Sequence, residues 1–366
     1  MLISQILQKL ELLVPLSLQE SYDNAGLITG NDSLECTGIL TCLDCIPEIV
    51  EEAVNRNCNL IIAHHPIIFK GIKSLTGKNY IEKTLLLAIK NNISIYACHT
   101  NLDSIHGGVN FKIAEKLGLT DVKILDKRED VLLKLAVFVP ETHKEQLKNA
   151  LFLAGGGRIG NNYDECSFET SGLGNFRPLK NSNPYSGSIN KRQVEKESKL
   201  EIIFPFWQKG KILEAMLKNH PYEEVAYDIY SLSNSVNEYG IGVTGNLKQP
   251  LPENEFLSEL KEKFNLKVIK HTALPGKVIK KVALCGGSGI FLLKKAISAK
   301  ADVYITSDVK YHEFFDADGK IILADIGHYE SEQFTVELLH DIIRENFPNF
   351  AVLKTNLNTN PVRYFS

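Results

Sequence analysis

Four stretches of the chain carry residues whose types and spacing can do chemistry. They are Ala63-His64-His65-Pro66, Cys98-His99-Thr100-Asn101-Leu102-Asp103, Ser307-Asp308, and Asp325-Ile326-Gly327-His328-Tyr329-Glu330-Ser331-Glu332. Histidines and carboxylates brought to one edge form a transition-metal ligand set, because imidazole suits Zn, Fe, Mn, Co or Ni and carboxylates can bridge two ions. Adjacent histidines on a regular strand point to opposite faces. Pro66 holds His65 extended at a strand end, where the chain can twist and let both imidazoles approach neighbouring ions. The spacing His328-x-x-x-Glu332 places two ligands one turn apart on a helix that starts there, whereas Glu330 would point about 200° away from His328.

Each stretch follows an apolar run that reads as a strand. From Thr37 to Gly118 the order is strand Ile39–Cys45, helix from Pro47, strand Leu60–Ala63, helix Ile81–Asn91, strand Ile93–Cys98 and helix Val109–Leu117. Such alternation implies parallel strands with right-handed crossovers, and ligands then bind beyond the carboxyl ends of the strands. A second run of this kind begins at Lys280: strand Val282–Cys285, helix Phe291–Ala299, strands Val303–Thr306 and Ile321–Ala324, helix Phe334–Asn346 and strand Ala351–Lys354. Between them lie strand Val131–Val139, helix Lys144–Leu153, strand Ser167–Ser171, a loop-rich region Gly172–Lys199, strand Leu200–Phe206, helix Lys209–Asn219 and strand Ala226–Ser231. That order is ferredoxin-like. The expected organisation is an α/β host in two pieces, residues 1–125 and 236–366, around an inserted ferredoxin-like α+β domain at 126–235.

Composition narrows the function. The 366 residues are 44% hydrophobic and 23% charged with a formal charge of −3, which supports a packed fold and gives no basic excess for nucleic acid. Met1–Leu18 is broken by Gln5, Gln8, Lys9 and Glu11, so it reads as a surface helix rather than a signal peptide or membrane span. The odd count of seven cysteines predicts reduced thiols and a cytoplasmic protein.

Other signals carry less weight. Gly155-Gly156-Gly157-Arg158-Ile159-Gly160 follows a helix and precedes a strand, the reverse of a dinucleotide-binding loop. Gly286-Gly287-Ser288-Gly289 follows a strand and opens a helix, so its amides could receive an anion or simply form a tight turn. Cys42-Leu43-Asp44-Cys45 lies in a strand-like run and reads as core sulfur with the two thiols on opposite faces. Lys70, Lys73 and Lys78 form a small basic loop that reads as solvated.

Taken together, these motifs make the chain recognisable. Over nearly its whole length it resembles the NIF-three-like dinuclear-metal family, known in bacteria as type-two GTP cyclohydrolase I homologues. The matching stretches are Tyr22-Asp23-Asn24-Ala25-Gly26-Leu27, His64-His65-Pro66, His99-Thr100-Asn101-Leu102-Asp103, His220-Pro221-Tyr222-Glu223, Gly286-Gly287-Ser288-Gly289, Ser307-Asp308-Val309-Lys310-Tyr311-His312 and Gly327-His328-Tyr329 with Glu332. Tyr22 stands where the family usually has Trp and Ser307 where it usually has Gly.

The resemblance implies a layered host fold whose insert looks like CutA and PII-like nitrogen-regulatory proteins. It implies metal ligands His64, His65, Asp103, His328 and Glu332, with Asp103 and Glu332 as bridges, and His99, Asp308 and His312 as orienting or proton-carrying groups. It also implies two divalent transition-metal ions per chain, zinc first with Fe, Mn, Co or Ni as alternatives, and a ring-shaped homo-oligomer, a hexamer. The reaction it implies is of the GTP cyclohydrolase type, in which metal-bound hydroxide opens a purine imidazole ring. Phosphoester or pyrophosphate hydrolysis suits a two-metal clamp equally. A metal-dependent scaffold or regulatory protein is the non-enzymatic alternative.

Overall fold

The computed structural model describes residues 1–129, 131–160 and 162–365. Two compact units result, one built from residues 1–126 and 238–366 and the other from residues 127–237.

The larger unit contains two sheets. In the first, the spatial order is Gly26–Thr29, Ser94–Ala97, Leu60–Ala63, Ile39–Cys42 and Val352–Lys354. All neighbours are parallel except the Gly26–Thr29 edge. Its three inner strands are buried at every position, the signature of a parallel sheet covered on both faces. Ile49, Val50, Ala53 and Ala88 from the crossover helices Pro47–Asn55 and Tyr80–Lys90 pack on Leu40, Ile61 and Ile95. Pro47 occupies the first helical turn, where its missing N–H costs nothing, and the Asn79 side chain caps the second helix by accepting from Glu82 N at 2.9 Å.

The second sheet runs Lys270–His271, Ile322–Asp325, Val303–Thr306, Val278–Leu284, Gly240–Pro252 and Thr120–Lys127. Val278–Leu284, Val303–Thr306 and Ile322–Asp325 are mutually parallel, so their carboxyl ends share one edge. Gly240–Pro252, Thr120–Lys127 and the helix Glu253–Lys263 fall in segments without an obvious sequence signal. That helix has three apolar residues, Phe256, Leu257 and Leu260, of which Phe256 and Leu260, one turn apart, are buried. Residues 291–299 begin as a 3₁₀ turn and continue as the short helix Leu293–Ser298.

Cys42 and Cys45 depart from expectation. The strand ends at Cys42, the chain bends through Leu43 and Asp44, and both thiols join one apolar cluster rather than opposite faces. All seven cysteines are free. Among the described residues no helix is long and apolar enough to cross a membrane.

The smaller unit has the order Leu132–Pro140, Lys144–Leu153, Ser167–Phe176, Gln193–Pro205, Lys209–Asn219 and Tyr227–Leu232, or β-α-β-β-α-β. Its antiparallel sheet runs Ser167–Phe176, Gln193–Pro205, Leu132–Pro140, Tyr227–Leu232. Alternate residues Leu133, Leu135, Val137 and Val139 meet Leu147, Leu151, Ile212 and Met216 of the two helices. The region 172–199 is less loop-like than its composition suggests. A ribbon paired from Ser167–Ile202 through Phe176–Gln193 extends beyond the apolar core, held by the backbone ladder.

Lys127 Nζ donates to Asn237 Oδ1 at 2.6 Å, so the two ends of this unit are adjacent. A protein in which residues 127–237 are replaced by a short Gly-Ser linker should therefore keep one cooperative thermal transition by circular dichroism. Aggregation or a non-cooperative melt would contradict an independent core in the larger unit.

Candidate metal centre

The carboxyl ends of the parallel strands deliver the chemistry. His64 and His65 follow Leu60–Ala63, His99 follows Ser94–Ala97, and Asp44 follows Ile39–Cys42. From the second sheet come Asp308, after Val303–Thr306, and the helix His328–Glu332, just beyond Ile322–Asp325. The amides of His64 and His65 still bond to Cys42 O and Leu43 O at 3.1 and 3.0 Å, yet their ring centroids lie only 4.9 Å apart. Asp103 ends the one-turn helix Thr100–Asp103.

Glu332 sits at the centre, 3% exposed. Its Oε2 lies 3.0 Å from His65 Nε2 and 3.1 Å from His328 Nε2, and those two nitrogens are 3.3 Å apart. Its Oε1 faces His64 Nε2 at 3.8 Å, and Asp103 Oδ1 faces the same nitrogen at 3.9 Å. Donor atoms bound tetrahedrally at 2.0–2.1 Å are about 3.3 Å apart, so the three around Glu332 Oε2 already have the spacing of ligands on one ion. Each Glu332 oxygen thus serves a different group of donors. Among these contacts Asp103 faces His64 alone, whereas Glu332 faces all three imidazoles.

His64 is fully buried. Its Nδ1 donates to Cys98 O at 2.8 Å, which fixes the tautomer, and its Nε2 has no hydrogen-bond partner. A buried polar atom without a partner costs about 1–3 kcal/mol, and a ligand cation removes that cost. The other histidines are held in the same way. Asp44 Oδ1 accepts from His65 Nδ1 at 2.8 Å, Asp308 Oδ2 from His328 Nδ1 at 2.6 Å, and Asp23 Oδ1 from His99 Nδ1 at 2.7 Å. His64, His65 and His99 form one donor group within 4.8 Å, and His65, His328 and Glu332 form another.

Charge follows this geometry. Burial alone would lower His65, but Asp44 and Glu332 outweigh it and raise it to about 9. Burial also opposes His328, where Asp308 and Glu332 raise it to about 11. Glu332 is pushed up by burial, yet His328, His64 and His65 hold it well below the carboxylate range. Burial and the nearby Glu332 charge raise Asp103 to about 7. Asp23 resists burial through His99 and Thr100 and falls to about 2.

The cluster opens into a cavity of about 1340 Å³, walled by Tyr22, Phe69, Phe291, Tyr329 and Tyr364 among others. The Duf34/NIF3 (NGG1p interacting factor 3) family model matches residues 1–361. The chain belongs to this family. Among its relatives, a "GTP cyclohydrolase 1 type 2 homolog" of Staphylococcus epidermidis is 38% identical, with both chains covered completely. A protein of the same name from Halalkalibacterium halodurans is 36% identical over 98% of each chain. The crystal structure of a Bacillus cereus protein related to NIF3 superposes with TM-score 0.86 at 33% identity, covering 100% of this chain and 99% of that one.

Within this Duf34/NIF3 chain the structure gathers His64, His65, His99, Asp103, Asp308, His328 and Glu332, but not His312. That residue is exposed on the 3₁₀ turn Tyr311–Ala317, where its ring meets those of Tyr311 and Phe315. Glu330 turns away from His328 and accepts from Asn360 Nδ2 at 3.0 Å. The glycine turn is not a free anion nest. Gly286 N, Gly287 N and Gly289 N are taken at 2.9 Å by Asn110, Ser331 and Thr306. Asp44, Asp23 and Asp325 had no assigned role, although each lies at a strand end or in a quoted motif. Asp325 is 2% exposed and accepts from Gly327 N at 3.0 Å, Val309 N at 3.2 Å and Lys270 Nζ at 2.6 Å, tying the Asp308 and His328 loops together.

A histidine raised in the fold stabilises fully below its unfolded value, about 6.5, and that contribution disappears as pH rises through the folded value. The melting temperature of chelator-treated protein should therefore fall as pH rises from about 6.5 through about 9, the value set by His65. Asp44→Asn should flatten that slope; a melting temperature that rises across this window would contradict the assigned protonation.

Proposed function

We propose that the cluster holds two divalent metal ions and that the protein is a metal-dependent hydrolase acting on a nucleotide-type substrate. The bare Nε2 of fully buried His64, facing one oxygen of Glu332 and one of Asp103, carries this reading. His64, Asp103 and Glu332 Oε1 would hold one ion, and His65, His328 and Glu332 Oε2 the other. Imidazole and carboxylate donors suit zinc, and also Fe, Mn, Co or Ni. When bound, such a pair supplies Lewis acidity and hydroxide at neutral pH.

The chain's own groups have definable roles around that centre. Asp44, Asp308 and the Cys98 carbonyl fix the ring orientations and tautomers of His65, His328 and His64. With Nδ1 committed to Asp23, His99 offers its other nitrogen as a proton carrier beside His64 and His65. The aromatic walls and the size of the cavity suit a nucleotide, and the name shared by the relatives points to a purine. The unit 127–237, which we read as a ferredoxin-like insert from its strand order, supplies none of the proposed ligands.

Metal-replete protein should convert GTP or a related nucleotide, and His64→Ala should abolish turnover. Chromatography of the products separates ring opening from phosphate release. No turnover of any nucleotide would overturn the hydrolase reading and leave a metal-dependent scaffold. Elemental analysis should find two ions per wild-type chain and fewer in Glu332→Gln, whereas Glu330→Gln should keep both. Loss of metal from Glu330→Gln with retention in Glu332→Gln would refute the ligand assignment.

A further inference from the structure

We propose that the C-terminal segment following strand Val352–Lys354 is a working part of this centre, and that Thr359 is a positioning residue for His65. The inference rests on the two-ion reading above. Thr359 and Asn360 are only 8% and 9% exposed, although Leu357, Asn358, Pro361 and Val362 around them are open to solvent. A terminal segment of irregular backbone buries two polar side chains only if they have partners.

Those partners are the elements that carry the ligands. Thr359 Oγ1 donates to Asp44 Oδ2 at 2.7 Å, while Asp44 Oδ1 takes His65 Nδ1 at 2.8 Å. One carboxylate therefore spans the C-terminal segment and a ligand imidazole. Asn360 Nδ2 donates to Glu330 Oε1 at 3.0 Å and Tyr364 OH to the same oxygen at 3.3 Å, which ties the segment to the helix bearing His328 and Glu332.

The segment is itself braced. Thr355 Oγ1 donates to Glu52 Oε2 at 2.5 Å, Asn356 N to Glu52 Oε1 at 3.0 Å, and Val362 N to Asn360 Oδ1 at 2.9 Å. The terminal torsion of an aspartate is broad, so a carboxylate held at one oxygen can swing. Held at both, Asp44 gives His65 one orientation, and loss of such an outer partner costs about 10–100-fold in metal affinity.

Titration of chelator-stripped protein with Co²⁺ against a chromophoric competitor, with the visible d–d spectrum recorded, tests this without an activity assay. Thr359→Val should weaken one of the two Co²⁺ ions by about 10-fold and shift its band, while Thr359→Ser should restore both. In an Asp44→Asn background, Thr359→Val should add no further loss, because it acts through that carboxylate. Equal melting temperatures in chelator separate this effect from misfolding. Wild-type Co²⁺ affinity in Thr359→Val, an equal loss in Thr359→Ser, or a full additional loss on Asp44→Asn overturns the inference alone. Wild-type protein that takes up no Co²⁺ overturns this and the two-ion reading together.

Discussion

A single buried carboxylate facing three imidazoles is the constraint on which the rest of the site depends. Glu332 is only 3% exposed, and a charge so placed persists only when compensated from several sides. His65 and His328 compensate one oxygen, and His64 faces the other without closing on it. That asymmetry leaves room for a cation between His64, Asp103 and Glu332. The backbone is shaped around the same residue. A Cβ on Gly287 would lie 2.3 Å from Glu332 Oε1, and Gly287 has φ +60°. The glycine turn therefore serves close approach to the carboxylate rather than reception of a phosphate.

Beyond that carboxylate, order comes from acids placed at strand ends. Asp44, Asp23 and Asp308 each hold a histidine ring, and Asp325 ties two loops by their amides. Asp44 and Asp308, together with Glu332, make His65 and His328 more basic, so these two rings favour their protonated forms. The segment after the last strand joins this scheme through Thr359, which spends its hydroxyl on Asp44.

Much of this was legible in the sequence because two periodicities dominate it. Leu60–Ala63, Val109–Leu117 and Val303–Thr306 read directly as elements, since continuous apolar runs mark buried strands and three-to-four spacing marks helices. The four-residue spacing of Glu332 from His328, against two for Glu330, by itself puts Glu332 on the histidine's side of a helix. The pairing of Thr359 with Asp44 across 315 positions was not legible, because nothing in local spacing encodes it, whereas His65 and Glu332, 267 positions apart, were joined by the resemblance and by their places at strand ends. His312 belongs to a recognisable motif, and the 3₁₀ turn Tyr311–Ala317 sets it at the surface.

The central claim is that Glu332 lies between two ions, one oxygen toward each. Anomalous diffraction from metal-loaded crystals, collected on both sides of the absorption edge of the bound metal, tests it most directly. Two peaks are predicted, one beside His64 and Asp103 and the other beside His65 and His328, with a Glu332 oxygen at each. A single peak, or two that leave Glu332 uncoordinated, would contradict it.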